Sequence, residues 1–197
     1  MTLLRTLVPL AAAVALGGCA LLGGGGKTPA TLQTLTPDAA DPGPVARAAN
    51  AGQAVTIGVP VVAKELRTVR VPVQITPTDI QYVTGLQWVD TPDRLFKDLL
   101  AETVRRTTNR VVLDNRQAGL DPGLVVSGEL QRFGYDAYAH EVVVTYDASL
   151  STAGGSRVET HRFTARQPAD GTGASVGPAL NRAANQVARE AAKWIGG

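Results

Sequence analysis

Glu141-Val-Val-Val-Thr-Tyr-Asp-Ala-Ser-Leu-Ser151 sets Val142, Val144, Tyr146, Ala148 and Leu150 at period two, so one face of an extended segment is apolar. That is a strand lying on a core. The next extended segment, 157–166, follows across Thr152-Ala-Gly-Gly-Ser156, whose paired glycines supply the backbone freedom a hairpin turn needs. Leu124 to Phe133 precedes it with the same β-branched and aromatic bias, giving three strands in a row. Upstream, Val55, Ile57, Val59 and Val61 alternate, as do Val69, Val71, Val73 and Ile75. Pro60 and Pro72 each remove a backbone donor, which assigns those two segments to a sheet edge or a bulge. An exposed edge there would also be a place for self-association into a homo-oligomer. Asp79 to Trp88 predicts a further strand, with Gly85 and Leu86 leading to a turn. Thr31 to Thr36 predicts a short first strand, and the Pro, Ala and Gly-rich stretch 37–52 a loop.

Two helices complete the pattern. Thr91-Pro92-Asp93 is a helix start, with Thr as N-cap, Pro at the first helical position and Asp in the first turn. Leu95, Phe96, Leu99, Leu100, Thr103 and Val104 then recur at three and four up to about Thr108, and Glu102 stands four residues before Arg106. Near the end, Val176, Leu180, Ala183, Val187, Ala191 and Trp194 trace a second apolar stripe that closes at Gly196-Gly197. Strands joined by short turns pair mostly antiparallel, and two amphipathic helices can cover one face. The expected class is α+β: a mixed, mostly antiparallel sheet with two helices packed on it, an α/β sandwich.

Composition narrows the function. Of 197 residues, 21 are Gly and 12 Pro, about 17% together, short of the roughly 25–30% that marks low-complexity chains. A net charge of +2 and only 5% aromatic residues offer no nucleic-acid footprint. One Cys cannot make an intrachain disulfide, and with two His it cannot fill a four-ligand structural zinc site without carboxylates, so no metal is expected. His140-Glu141 is not a zincin, because position 144 is Val144. Ser127 lacks the Gly two places earlier that a nucleophile elbow requires. Both His fall in predicted strands, where a hydrogen-bonded sheet histidine is the plainer role. Nothing here calls for an enzyme or a cofactor.

The N-terminus decides the compartment. Residues 1–18 carry Arg5, then the apolar run Leu7 to Leu16, then Gly17-Gly18, the layout of an export signal. Ten apolar residues reach about 15 Å as a helix, half a bilayer's hydrocarbon core. Leu16-Gly17-Gly18-Cys19 resembles the bacterial lipobox, which implies that Cys19 carries acyl chains such as palmitate and becomes the mature N-terminus. Several chains anchor stably where one does so marginally. By the same resemblance Ala20 implies transfer to the periplasmic face of the outer membrane. Gly23-Gly24-Gly25-Gly26-Lys27-Thr28 ends like a P-loop, but the required first Gly is Leu21 and Pro29 follows. Residues 19–29 thus form a lipidated, glycine-rich tether, and 30–197 the domain.

Taken in order, the lipobox, the valine-rich strands, Gln87-Trp88-Val89-Asp90-Thr91-Pro92 leading into the Leu95–Val104 helix, and the Ala-rich terminal helix ending in Trp194-Ile195 resemble the ABC-type transport auxiliary lipoproteins. Members accompany MCE-containing intermembrane lipid transport systems such as the paraquat-inducible one. Thr31-Leu-Gln-Thr-Leu35 has fewer aromatics than the family's first strand. The resemblance implies a non-enzymatic accessory that works with an MCE protein, an inner-membrane permease and an ATPase. Trp88, Asp90 and Pro92 are candidates for its partner interface, since aromatic anchors dominate interfaces. Because Trp is highly buried on average, the favoured alternative for Trp88 is a plug of the core against the following helix. A lipid carrier enclosing an acyl chain, or a structural or assembly lipoprotein of the envelope, would carry the same export and anchoring signals.

Overall fold

A computed structural model of the chain describes residues 31–50, 52–114, 116–117, 119, 123–152 and 155–197. The expected export signal, Cys19 and the expected glycine-rich tether lie outside the described residues.

The long central strands come from the most strongly alternating sequence. β6 (Leu124–Asp136), β7 (Glu141–Ser151) and β8 (Val158–Pro168) form consecutive antiparallel hairpins. β6 runs three residues further than its pattern predicts. On the other side of β6, three short strands lie end to end and parallel to it: β1 (Val55–Ile57), β2 (Val61–Val62) and β3 (Arg70–Gln74). β4 (Ile80–Gln87) pairs antiparallel with β3, and β5 (Val112–Leu113) parallel with β1. The result is one mixed sheet of eight strands, with its long ladders antiparallel.

α1 (Pro92–Thr107) and α2 (Gly173–Gly196) cover one face of that sheet, giving the expected α+β sandwich. Val142, Val144, Tyr146 and Ala148 are buried on that face with Phe163 and Ala165 of β8. Phe96 of α1 packs against Tyr146 with its ring tilted, at 5.0 Å between ring centroids. Burying side chains of this size contributes about 1.5–3 kcal/mol each. The opposite face is polar, and pairs of charges cross it: Arg162 reaches Asp147, Arg166 reaches Glu141, and Arg132 reaches Asp136. Val143 is nonetheless fully buried there, between Gly134 and Arg166 in register.

Three expectations need correction. Val55, Ile57, Val59 and Val61 do not share a face: the first two are buried, the last two exposed. The chain breaks at Gly58-Val59-Pro60, and β2 resumes in the opposite phase with Val62 inward. Pro72 meets the bulge alternative of its expectation: β3 lies between β4 and β6, and Pro72 stands where the β3–β4 register shifts, so the missing donor is absorbed by that irregularity. Thr31–Thr36 is not a strand, since only Gln33 forms a bridge, parallel, to Trp88. Gly85 does not start a turn; at φ +71° it is a bulge inside β4 that rephases the strand, so that Val83, Leu86 and Trp88 all point inward.

Candidate functional site

The turn from Gln87 to Pro92 joins the edge of the sheet to the first helix. Trp88 is 1% exposed and packs edge-on against Phe133 of β6 at 5.7 Å, so its side chain is a core plug. Its indole Nε1 has no hydrogen-bond partner among the described residues. Pro92 is buried at the first position of α1. Thr91 occupies the N-cap position with extended backbone, but its side chain makes no capping bond; instead the Asp90 carboxylate accepts from the Thr91 N–H at 2.7 Å. Asp90 is the member of the three that reaches solvent, paired at 3.6 Å with Arg94. Beside it Val89 is half exposed. The outward surface of the turn is therefore Val89, Asp90 and Arg94, carried on a base of Trp88 and Pro92.

The segment that follows the tether is fastened to this turn. Gln33 N–H donates to Gln87 O and Val89 N–H to Gln33 O, each at 2.8 Å. Further along, Thr36 N–H donates to Asn181 Oδ1 and Asp38 N–H to Asn185 Oδ1, both at 2.9 Å. Asn185 Nδ2 returns a bond to Thr36 O at 2.8 Å, and Arg189 pairs with Asp38. Asn181, Asn185 and Arg189 are four residues apart, so they share one stripe of α2 that holds the N-terminal segment like a strap. The apolar-stripe reading missed this set. Asn is a poor helix former, and two of them at i, i+4 inside an Ala-rich helix are the signal that something polar is bound there.

Electrostatics elsewhere are structural. Arg162 hydrogen-bonds Asp147 through both oxygens at 2.6 Å, and these bonds and the guanidinium charge hold that carboxyl below the usual range. Burial pushes the Tyr146 hydroxyl up, and it donates to Ser127 O at 3.2 Å. His140 lies in the β6–β7 turn at φ 53°, not in a strand, with Nδ1 3.3 Å from the Tyr135 hydroxyl. His161 is in β8 as expected and stacks on Phe163. Trp194 joins that pair at the end of α2. Among the described residues no group of three His, Cys, Asp or Glu is placed to hold a metal, and no helix is long and apolar enough to cross a membrane.

A family model described as the ABC-type transport auxiliary lipoprotein component matches residues 34–192. A crystal structure of a Xanthomonas campestris protein assigned to family DUF330 shares the fold at a TM-score of 0.65 and 18% identity, over 86% of this chain and 93% of that one. A second solved structure, of an uncharacterized protein, aligns at a TM-score of 0.57 and 13% identity, over 77% of this chain and 94% of the other. No curated protein matches the chain.

Proposed function

The chain belongs to the ABC-type transport auxiliary lipoprotein component family, and from that premise we propose that it is the non-enzymatic accessory of an MCE-type lipid transport system, held at the periplasmic face of the outer membrane by acyl chains on Cys19. The observation that carries this reading is the strap. The anchor's tether enters the domain through a segment bonded to Gln87 and Val89, so the Trp88 turn is kept at a fixed place relative to the leash. Anchoring raises the local concentration of that surface at a partner without adding contacts. Val89, Asp90 and Arg94 offer an apolar contact flanked by both charges on a rigid base, a surface suited to docking the MCE protein, with the permease and ATPase completing the system.

The test is capture of the tagged full chain from native membranes, with the MCE protein read by mass spectrometry. The wild type should enrich it, and Val89→Asp with Arg94→Glu should reduce that enrichment while leaving the thermal midpoint within a few degrees. No enrichment by the wild type, or undiminished enrichment by the double variant, would remove the docking role. Recovery of Cys19 without acyl chains would remove the anchor.

A further inference from the structure

The far end of the sandwich, where α1, α2 and the β7–β8 hairpin finish, carries two adjoining open cavities of about 660 and 610 Å³. Each lies within the roughly 300–1,000 Å³ range of small-molecule sites. The first is walled by Leu124, Leu150, Phe163, Trp194 and Ile195, with Leu124, Leu150 and Trp194 only partly buried. Arg157, Glu159, His161 and Glu190 also line it, the first two paired with each other. The second is polar, lined by Gln53, Thr107, Thr108 and Asn109 with no acidic side chain among its described lining. Arg110, Lys193 and Gly197 belong to both.

An apolar trough that opens at two cations into a polar trough has the polarity profile of an amphiphile. We infer that this cleft binds a single-chain phosphate-bearing lipid, its acyl chain on Leu150, Phe163 and Trp194 and its phosphate at Arg110 and Lys193. Three observations support the choice of head. Among the described residues neither Arg110 nor Lys193 takes part in a side-chain ion pair. Two of the last carbonyls of α1, which would repel an anion, already have donors: Thr108 Oγ1 donates to Val104 O at 2.8 Å, and Arg47 reaches Arg105 O. Glu190 accepts from Gln186 at 3.1 Å and belongs to the lining of the apolar trough alone.

The site is separate from the docking surface. Leu124 and Phe133, the latter in contact with Trp88, stand nine positions apart on β6, roughly 30 Å at strand rise.

The experiment adds a lysophosphatidylcholine bearing a diazirine in its chain and a terminal alkyne to membranes containing the full chain, irradiates, and maps the labelled peptides. Label should fall on the end of β7, the start of β8 and the last turn of α2. Leu150→Arg and Lys193→Glu, both at solvent-reaching positions, should each cut it about fivefold, close to 1 kcal/mol. A diazirine monoacylglycerol of equal chain length should label more weakly by a similar factor. Label elsewhere on the domain, label unchanged in both variants while circular dichroism shows them folded, or equal labelling by the glyceride would overturn the assignment. Capture of the MCE protein, read in the same membranes, separates the two ideas: labelling without capture sinks docking alone, and capture without labelling sinks this cleft alone.

Discussion

Asn185 Nδ2 donates to the carbonyl of Thr36 at 2.8 Å, joining two residues 149 positions apart, and the amide is 1% exposed. Its oxygen takes the Asp38 N–H and its second donor the Asn181 carbonyl, so the buried amide is well satisfied. Asn185→Leu would keep the volume but leave the Asp38 N–H and Thr36 C=O without these partners. A loss of about 1–3 kcal/mol is expected in chemical denaturation, as for unpaired polar groups. Hydrogen exchange should localise it, with the Asp38 amide losing protection while β7 keeps its own. Unchanged protection at Asp38 would show that the strap is held by something other than Asn185.

Two glycines should respond to alanine for different reasons. At Gly134 a Cβ would stand 2.5 Å from the Pro72 carbonyl oxygen and 2.9 Å from its ring, so β3 and β6 would have to part. Gly134→Ala should cost about 1–3 kcal/mol, the range for overpacking, read as a lower denaturant midpoint at constant slope. Gly85 has open space around it, but sits at φ +71°. Gly85→Ala should cost only the left-handed strain, about 1–2 kcal/mol. Equal, negligible effects at both sites would mean that β4 can abandon its bulge.

Asp147 gives the pH dependence a sign. Hydrogen bonds from Arg162 and then its charge hold the carboxyl below its ordinary value, so between the two values the unfolded chain binds more protons than the folded one. The stabilisation is therefore complete above the unfolded carboxylate range near 3.9 and fades as pH falls through the folded value. Asp136 adds in the same direction: partial burial would raise it, but the Ala139 N–H and the Arg132 guanidinium outweigh that. Because the Arg162 side chain is 66% exposed, the effect is modest and sensitive to salt. Thermal melts of Asp147→Asn from pH 7 to pH 3 should fall less steeply than those of the wild type. Parallel curves would contradict the assignment.

What was legible in the chain was whatever repeats locally. Val142 to Leu150 at period two, Leu95 to Val104 at three and four, and Thr91-Pro92 before them were enough for β7, α1 and the α+β class. The rest depends on partners distant in sequence. Val59 and Val61 continue an alternation that the backbone breaks at Gly58, where a side chain would crowd Val126 O at 3.3 Å. Gly85 looked like a turn because a left-handed glycine serves turns and bulges equally, and only the β3 register tells them apart. The cleft at Arg110 and Lys193 was invisible for the same reason: its walls come from β6, β7, β8 and α2, and no window of sequence contains more than two of its apolar residues.

Trp88 offers a test in which polarity and volume oppose each other. Its indole is buried against Phe133, yet Nε1 has no partner among the described residues, and an unpaired buried donor costs about 1–3 kcal/mol. Trp88→Phe removes that penalty and keeps an aromatic ring on Phe133, but leaves part of the indole's space empty, which costs a similar amount. The two effects should nearly cancel, leaving the variant within about 1 kcal/mol of the wild type. Trp88→Ala has no such offset and should lose about 3–5 kcal/mol. The chain holds two tryptophans, so the Trp88→Phe variant also isolates the emission of Trp194, which reaches solvent where Trp88 does not. Its spectrum should lie to the red of the wild type. A loss comparable to alanine on changing to Phe would show that the Nε1 bond is made in solution and that the turn owes its rigidity to it.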